Sequence, residues 1–283
     1  MSEIRLEEVT FLQGLDTPYE IRAVDRISAL IPHGKITGII GHTGSGKTTL
    51  VQMMNGLLKP RSGRVLIDGA DIWENPKEIK RVRFKVGLVM QYPEHQLFED
   101  TIRKDIAFGP KNMRLASEEI KQRVEEAAAF VGLDAELLDK NPFELSGGQK
   151  RRAAIAGIIA MRPDVLVLDE PAAGLDPSGK EEIFANIADY HKKSGKTVVI
   201  VSHSMDDMAR YCDNVIVLSG GRAVLAGTRD EVFSKTRELI AAGLDVPHAT
   251  KLSMLLEEKG IKLPDGIFTA DDTVEKIAAL FEN

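Results

Sequence analysis

The spacing of apolar residues changes repeatedly along the chain, from the alternation of a strand to the period of a helix. Residues 3–11 alternate enough to predict a first strand. The second half repeats this change, with strands predicted at 165–168, 197–201, 215–218 and 224–226 and helices at 146–161, 179–192 and 205–211. Strands that alternate with helices predict a mostly parallel sheet covered on both faces.

The first half adds more strands and one long stretch without any. Strands are predicted at 27–31, 35–40, 63–69 and 86–90, and a helix at 47–57. Residues 93–160 then follow a helical pattern, most clearly at 118–131, and predict a helical subdomain. Together these elements predict one large α/β domain over residues 1–226.

After Ala226 the pattern breaks into short helical pieces. Gly243, Pro247, Gly260 and Pro264 interrupt residues 227–283, which predicts a small α-helical extension without a core of its own. We expect this extension to serve subunit pairing (dimerisation). Its apolar residues would bury against the main domain or a partner chain; they are Leu239, Leu244, Leu252, Leu255 and Leu256.

Composition weighs against several classes of protein. The longest apolar run, residues 153–161, is too short for a bilayer-spanning helix of about 20 residues, and the first residues hold no apolar signal region. The formal net charge of −6 weighs against a nucleic-acid partner, which usually requires a basic face. Cys212 is the one cysteine in the sequence, which excludes an internal disulfide and favours a reducing compartment.

A glycine-rich loop follows the strand predicted at 35–40 and opens the helix predicted at 47–57. It matches the phosphate-binding pattern G-x-x-x-x-G-K-[ST], in which backbone N–H groups and a helix N-terminus face the phosphates of a nucleotide. A turn with an incidental lysine is the alternative, but a chance match is on the order of one in a hundred. The nucleotide-binding candidates are Gly41, His42, Thr43, Gly44, Ser45, Gly46, Lys47, Thr48 and Thr49. Lys47 would reach the β- and γ-phosphates, and the Thr48 hydroxyl would ligate Mg²⁺.

Two carboxylates end the strand predicted at 165–168. Asp169 would hold Mg²⁺ through water, and Glu170 would point the other way and polarise the attacking water. A buried strand that simply ends in solvent is the alternative. The turn that follows, with Gly174 and Asp176, makes that alternative less convincing.

The sequence Leu-Ser-Gly-Gly-Gln at 145–149 supplies a second glycine-rich helix start. Ser146 is a good N-cap, and Gly147 and Gly148 leave their amides accessible, so this segment with Gln149 predicts a second phosphate-binding surface. A chance occurrence is on the order of one in a few thousand, and a plain helix cap does not explain two glycines.

These motifs, in this order, resemble the nucleotide-binding subunits of ABC transporters over roughly residues 3–226. The resemblance implies an α/β phosphate-loop NTPase fold (RecA-like), with a mixed sheet core, an antiparallel β part and a helical subdomain. It also implies an ATPase with the cofactors ATP and Mg²⁺. In the family pattern Gln91 approaches Mg²⁺ and the water, His203 contacts the γ-phosphate and Asp176 belongs to the D-loop. Alone, Gln91 would be an ordinary strand end and His203 a structural histidine.

A closer resemblance to the ATPases of energy-coupling factor (ECF) transporters lies in residues 41–44, 91–101, 105–112 and 231–247. The chain is most similar to the second of the two paralogous ATPases. ECF transporters import vitamins or transition-metal ions. The partners implied are a second ATPase, identical or paralogous, a transmembrane coupling protein and a substrate-binding membrane protein, with no nucleic acid. The implied location is the cytoplasmic side of the cell membrane, as a peripheral protein.

Two points depend on local residues. The family's adenine-stacking aromatic would fall near Gln13, where Phe11 and Tyr19 are candidates.

The segment after Gln91 predicts a docking groove for a short arginine-bearing helix of the membrane partner. Its apolar residues are Tyr92, Leu97 and Phe98, and its anions are Glu94, Glu99 and Asp100; a solvated loop with scattered acids is the alternative.

Other functions stay open at this point. The chain could be the ATPase of another ABC importer, a soluble ABC ATPase in translation or repair, or a non-catalytic regulator. Soluble members typically carry two ATP domains, a long coiled coil or zinc-binding insertions, and a regulator is expected to lose Lys47 or Glu170. The sequence has a single Leu-Ser-Gly-Gly-Gln motif, residues 145–149, which is the signature of the ABC family. It has no sustained heptads and one cysteine, and both Lys47 and Glu170 are present.

Overall fold

Two sheets form the centre of the computed structural model, which describes residues 2–14, 17–261 and 263–281. The first sheet has four antiparallel strands in the order β2-β1-β4-β5, and the second has six in the order β10-β9-β3-β8-β7-β6. In the second sheet only the pair β9–β10 is antiparallel. The strands are β1 Ile4–Gln13, β2 Ile21–Ile31, β3 Ile36–Gly41, β4 Ser62–Ile67, β5 Ala70–Asp71, β6 Val86–Val89, β7 Val165–Asp169, β8 Thr197–Val201, β9 Asn214–Ser219 and β10 Arg222–Thr228.

Eleven α-helices are present in the described residues. They are α1 Lys47–Met54, α2 Ile79–Lys85, α3 Ile102–Asn112, α4 Ser117–Phe130, α5 Gly147–Ile159, α6 Pro177–Ser194, α7 Met205–Tyr211, α8 Arg229–Phe233, α9 Thr236–Ala241, α10 His248–Glu258 and α11 Ala270–Phe281. Short 3₁₀ turns lie at Pro76–Glu78, Pro93–Gln96, Ala135–Leu137 and Pro142–Glu144. No described helix combines the length and the apolar composition that crossing a bilayer requires.

The central strands are buried on both faces because successive side chains enter two different cores. In β8, Val198 and Ile200 pack with the helices of the chain, whereas Val199 and Val201 pack against α1 and the antiparallel sheet. The predicted α/β phosphate-loop fold with a parallel-rich sheet is therefore confirmed. The carboxyl ends of β3 and β7 point to the same edge, where the phosphate loop and the two carboxylates follow.

Several predicted elements differ in length for local reasons. β2 begins at Ile21 rather than near 27, because bulges interrupt its pairing with β1 and disturb the alternation. α1 ends at Met54 because Gly56 takes a left-handed φ of 70°. No element was predicted for α2, whose few apolar residues lie among arginines and lysines.

The extension after Ala226 contributes to the main core. Phe233 and Leu239 are fully buried in the cluster that also holds β8 residues, and β10 continues to Thr228. Leu256 packs in a separate small cluster with residues of α10 and the segment before α11, while Leu252 and Leu255 are exposed. A truncation after Ala226 would therefore open the core and would not test subunit pairing alone.

Candidate nucleotide site

The phosphate loop joins the end of β3 to the start of α1. Gly46 forms the N-cap of α1 with φ 98°, a conformation that side chains rarely adopt. A Cβ at this position would collide with the carbonyl oxygen of Ala23, so glycine is required both by the backbone angle and by the close approach of β2. This geometry leaves the N-terminus of α1 open to an anion.

A cleft of about 360 Å³ lies over this loop. It brings together residues from four separate segments of the sequence: β1–β2, the phosphate loop, the end of β6 and the end of β7. Its lining residues are Gln13, Ile21, Ala23, Thr43, Gly44, Gly46, Lys47, Thr48, Thr49, Gln91, Asp169 and Glu170. Of the residues assigned to nucleotide or metal from the sequence, Gly41, His42 and Ser45 belong to the loop without lining the cleft.

Lys47 is held across the loop. Its Nζ donates to the carbonyl oxygens of Gly41 at 2.7 Å and His42 at 3.0 Å. Burial lowers the pKa of Lys47, while the charges of Glu170 and Asp169 oppose that effect. A cation placed in this way at the entrance of α1 can exchange its carbonyl partners for phosphate oxygens.

Asp169 offers an unsatisfied ligand atom. The residue is buried, and its Oδ1 has no hydrogen-bond partner. Burial raises the pKa of Asp169, against a hydrogen bond from Thr48 and the charge of Lys47. A hydroxyl, one carboxylate and the phosphates of a nucleotide form a typical ligand set for Mg²⁺, so the residues present fit this metal.

Glu170 follows Asp169 in a strained conformation. Its φ is 50°, and its backbone N–H donates to the carbonyl of Val201 at 3.0 Å. Its Oε2 lies 3.0 Å from Nδ1 of His203, which follows β8 and is exposed. The structure thus brings Glu170 and His203 together at the cleft, and strain of this kind concentrates at functional sites.

The second glycine-rich segment lies elsewhere. Ser146 Oγ accepts from the Gln149 N–H at 3.3 Å, and Gln149 Oε1 accepts from the Ser146 N–H at 2.9 Å. A Cβ added at Gly147 or Gly148 would meet nothing within 4 Å. These four residues do not line the cleft of their own chain. Asp176 is also outside it and caps α6, with Oδ1 accepting from the Gly179 N–H at 2.8 Å.

Comparisons with known proteins agree with this arrangement. The sequence profile of the ABC transporter family matches residues 24–173. The energy-coupling factor transporter ATP-binding protein EcfA2 of Clostridium tetani is 49% identical over 281 residues, which are 99% of this chain and 98% of the relative. The protein of the same name from Caldanaerobacter subterraneus is 50% identical over 274 residues, 97% of this chain and 96% of the relative.

Solved structures point the same way. The protein cbiO1 from Clostridium perfringens, part of the ABC transporter complex cbiONQ, superposes with a TM-score of 0.74 at 39% identity, covering 90% of this chain and 98% of cbiO1. The ATP-binding cassette MJ0796, dimeric and bound to ADP and Pi, gives a TM-score of 0.72 at 28% identity, covering 80% of this chain and 98% of that one. The chain belongs to the ABC transporter family. Within it, the chain is an ATP-binding protein of the energy-coupling factor type, an ATPase with ATP and Mg²⁺ as cofactors.

The β1–β2 wall of the cleft is formed by Gln13, Ile21 and Ala23, with no aromatic side chain among the described residues that line it. Gln13 and Ile21 pair across β1 and β2 and line the cleft, whereas Phe11 packs against the core and Tyr19 points into solvent. Sequence reasoning proposed Phe11 and Tyr19 and passed over Ile21. The strand signal was too short to show that β2 reaches the cleft.

A buried ion pair was also missed. Arg151 on α5 donates to both carboxylate oxygens of Glu94, at 3.0 Å and 2.7 Å. Burial alone would raise the pKa of Glu94, but the hydrogen bonds and charge of Arg151 outweigh it and lower the pKa. Both oxygens of Glu94 are therefore bound by Arg151 within the chain, and the docking groove for a membrane partner, in which Glu94 was one of the expected anions, stays a prediction.

We expect Lys47→Ala to weaken ATP binding by about 10- to 100-fold, the equivalent of one lost charge-assisted contact of about 1.5–3 kcal/mol. The half-buried ammonium is the cation that the loop places at the start of α1. Titration with a fluorescent ATP analogue measures the change. Lys35→Ala, which removes an exposed lysine before β3, is the control, and equal affinities for the two variants would contradict the role of Lys47.

Proposed function

We propose that this ATPase closes head to tail with a second ATPase around two ATP molecules, and that closure drives an importer in the membrane. The observation that carries the proposal is the separation of the two phosphate-binding surfaces. Lys47, Asp169 and Glu170 line one cleft, while the N-terminus of α5 with Ser146 faces open space outside that cleft. Each surface supplies half of a site, so a partner's signature would complete this chain's cleft.

In the closed site each residue has a distinct task. Thr48, Asp169 and Gln91 would hold Mg²⁺, which neutralises phosphate charge when bound. Lys47 binds the phosphates, Glu170 accepts a proton from water, and His203 orients Glu170 and reaches toward the γ-phosphate. The arrangement is supported by the 3.0 Å contact between His203 and Glu170 and by the unsatisfied Oδ1 of Asp169.

The partners we propose are a paralogous or identical ATPase, a transmembrane coupling protein and a substrate-binding membrane protein. Cargo would be chosen by the membrane proteins, within the vitamins and transition-metal ions that ECF importers carry. The ATPase would be peripheral, on the cytoplasmic side of the cell membrane.

The contact with the coupling protein would lie in an apolar groove of about 330 Å³ between the 3₁₀ turn Pro93–Gln96, α3 and α5. Phe98 is 65% exposed and stacks edge-on against Phe108 at 5.0 Å between ring centroids. Asp105 lines the same groove, and its buried Oδ2 has no hydrogen-bond partner. Asp105 therefore replaces Glu94 as the anion that we propose for an arginine of the partner.

The double variant Phe98→Ala with Asp105→Asn tests both this contact and the import function. The asparagine oxygen can still accept from the N–H groups of Phe98 and Glu99, so the loop should keep its shape. We expect purification of the tagged wild-type chain from membranes to recover two membrane proteins and a second ATPase, with recovery falling about 10-fold or more for the variant. ATP binding by the isolated subunit should not change.

Ile240→Ala, at an exposed apolar residue of α9, is the matched control for the loss of surface area. Recovery of the wild-type chain alone, without any membrane protein, would reject the import function. Equal recovery for the wild type and the double variant would place the coupling contact elsewhere.

We further propose that α10 serves pairing between the two ATPases. Leu252 and Leu255 are exposed on this helix, Leu255 by 56%. We expect Leu255→Lys to reduce the dimer population in sedimentation, because a cation would enter an apolar contact, while ATP affinity stays unchanged. Glu257→Lys, on the opposite side of the same helix, adds a cation as the control, and equal dimer populations for both variants would reject this surface.

A further inference from the structure

A basic segment precedes β6, the edge strand of the six-stranded sheet. It spans residues 76–85, which form the 3₁₀ turn Pro76–Glu78 and the helix α2. Five of these ten residues are lysine or arginine and one is acidic, so the segment carries a net charge of +4 in a chain whose formal net charge is −6. A local excess of charge of one sign attracts a surface of the opposite sign.

Three of the five cations are exposed and have no carboxylate partner. No ion pair joins Lys77, Lys80 or Arg83 to an acid within residues 2–14, 17–261 and 263–281. The acid of the segment itself, Glu78, is paired with Arg81 at 2.8 Å. The chain therefore leaves these three charges uncompensated by direct contact.

Neighbouring acids line a pocket that Lys77 and Lys80 do not share. Asp71 and Glu74, which come just before the segment, line this pocket together with Arg81. Acids and cations are thus mixed at the pocket, whereas Lys77 and Lys80 lie outside it.

The basic segment adjoins the apolar groove proposed for the coupling protein. Phe84 of α2 lines that groove, as do Phe98 and Phe108. The ammonium group of Lys80 lies 5.9 Å from the centroid of the Phe84 ring, in cation–π contact with it. Since the proposed function turns the groove toward the membrane, Lys80 would lie on the membrane side of the molecule.

We propose that residues 76–85 bind the phosphate headgroups of an anionic lipid surface, and that this contact holds the ATPase with its groove toward the membrane. The contact would be electrostatic and without insertion, because Ile79 and Val82, two apolar residues of α2, pack against the core of the chain. The inference rests on the proposed function for the direction in which the groove faces. It adds a lipid contact that the chain makes without any membrane protein.

Co-sedimentation of the isolated chain with vesicles tests the lipid contact. The vesicles consist of phosphatidylcholine alone, or of phosphatidylcholine and phosphatidylglycerol in equal parts. We expect the wild type to bind only the vesicles with phosphatidylglycerol, and high salt to weaken this binding. The variant Lys77→Gln with Lys80→Gln should bind about 10- to 25-fold more weakly, because each cation near an anionic surface raises the affinity about fivefold.

Lys235→Gln with Lys259→Gln is the matched control. It removes the same charge at two exposed lysines of the extension that follows β10, at the opposite edge of the sheet from β6. This variant should bind the vesicles as strongly as the wild type. Both double variants should keep the thermal midpoint and the ATP affinity of the wild type, since their lysines are exposed and do not line the nucleotide cleft.

A second measurement separates lipid from protein as the anionic partner. Tagged chains are purified from membranes dissolved in detergent, and the recovery of membrane proteins is compared. We expect Lys77→Gln with Lys80→Gln to recover them as the wild type does, because detergent has replaced the lipid surface. Lower recovery together with unchanged vesicle binding would assign the two lysines to the coupling protein and overturn the lipid contact.

A wild-type chain that binds both kinds of vesicle equally, or neither, would also overturn the proposal. So would an equal loss of binding in the two double variants, which would show an effect of net charge alone. Because the vesicles contain no protein, failure of the import function, seen as a wild-type chain that recovers no membrane protein, leaves the vesicle result unaffected.

Discussion

Replacing Glu170 by glutamine is expected to reduce ATP hydrolysis by about 10²- to 10⁴-fold, the usual contribution of a general base. The amide is nearly the same size as the carboxylate but cannot accept a proton from water. Lys47, Thr48 and Asp169 are untouched, so ATP should still bind with wild-type affinity. Because hydrolysis would release the two chains of the proposed head-to-tail dimer, we expect the variant to accumulate as an ATP-dependent dimer.

The measurements are phosphate release at saturating ATP and sedimentation with and without ATP. Glu182→Gln is the matched control, because Glu182 is an exposed carboxylate on α6, paired with Arg152 and away from the cleft. Hydrolysis at the wild-type rate in Glu170→Gln would mean that another group activates the water. A dimer that forms equally without ATP would mean that the nucleotide does not hold the two chains together.

The parts of the fold that the sequence predicted best are short runs of apolar or amphipathic residues. β8 and α7 match their predicted bounds because each is a short apolar or amphipathic run with clear ends. The phosphate loop and the acidic strand were placed by motif, and the sheet order puts both at one edge. The roles of individual site residues stay predictions until the variants are measured.

Other features could not be predicted because they depend on pairs distant in sequence. Nothing in the local sequence indicates that Glu94 meets Arg151, 57 positions later, rather than solvent. Phe233 and Leu239 are buried in the main core with residues of β9 and β10, a contact that depends on the three-dimensional arrangement of these elements. Bulges hid the start of β2, and with it the contribution of Ile21 to the cleft.

The second large effect is expected from the proposed arrangement in which the signature of one chain contacts the ATP bound by its partner. We expect Ser146→Arg to abolish ATPase activity, because the long cation would occupy the place that a partner's γ-phosphate must take at the N-terminus of α5. Ser146 also caps that helix, and loss of the cap costs about 1 kcal/mol of stability, which a thermal midpoint can measure separately. The affinity of the variant's own cleft for ATP should stay at the wild-type value, since Ser146 does not line it.

Mixing two inactive chains then decides whether the signature acts on the partner's nucleotide. If the chain pairs with its own copy, a dimer of one Ser146→Arg chain with one Lys47→Ala chain joins an intact phosphate loop to an intact signature, so ATPase activity should rise on mixing above that of either variant alone. Ser117→Arg, in the first turn of α4, serves as the control for adding an arginine to an exposed serine at the start of a helix. If Ser146→Arg instead lost ATP affinity as strongly as Lys47→Ala, and no activity returned on mixing, the signature would act on its own chain's nucleotide. The head-to-tail closure would then have to be abandoned, because each chain would hold a complete site without its partner.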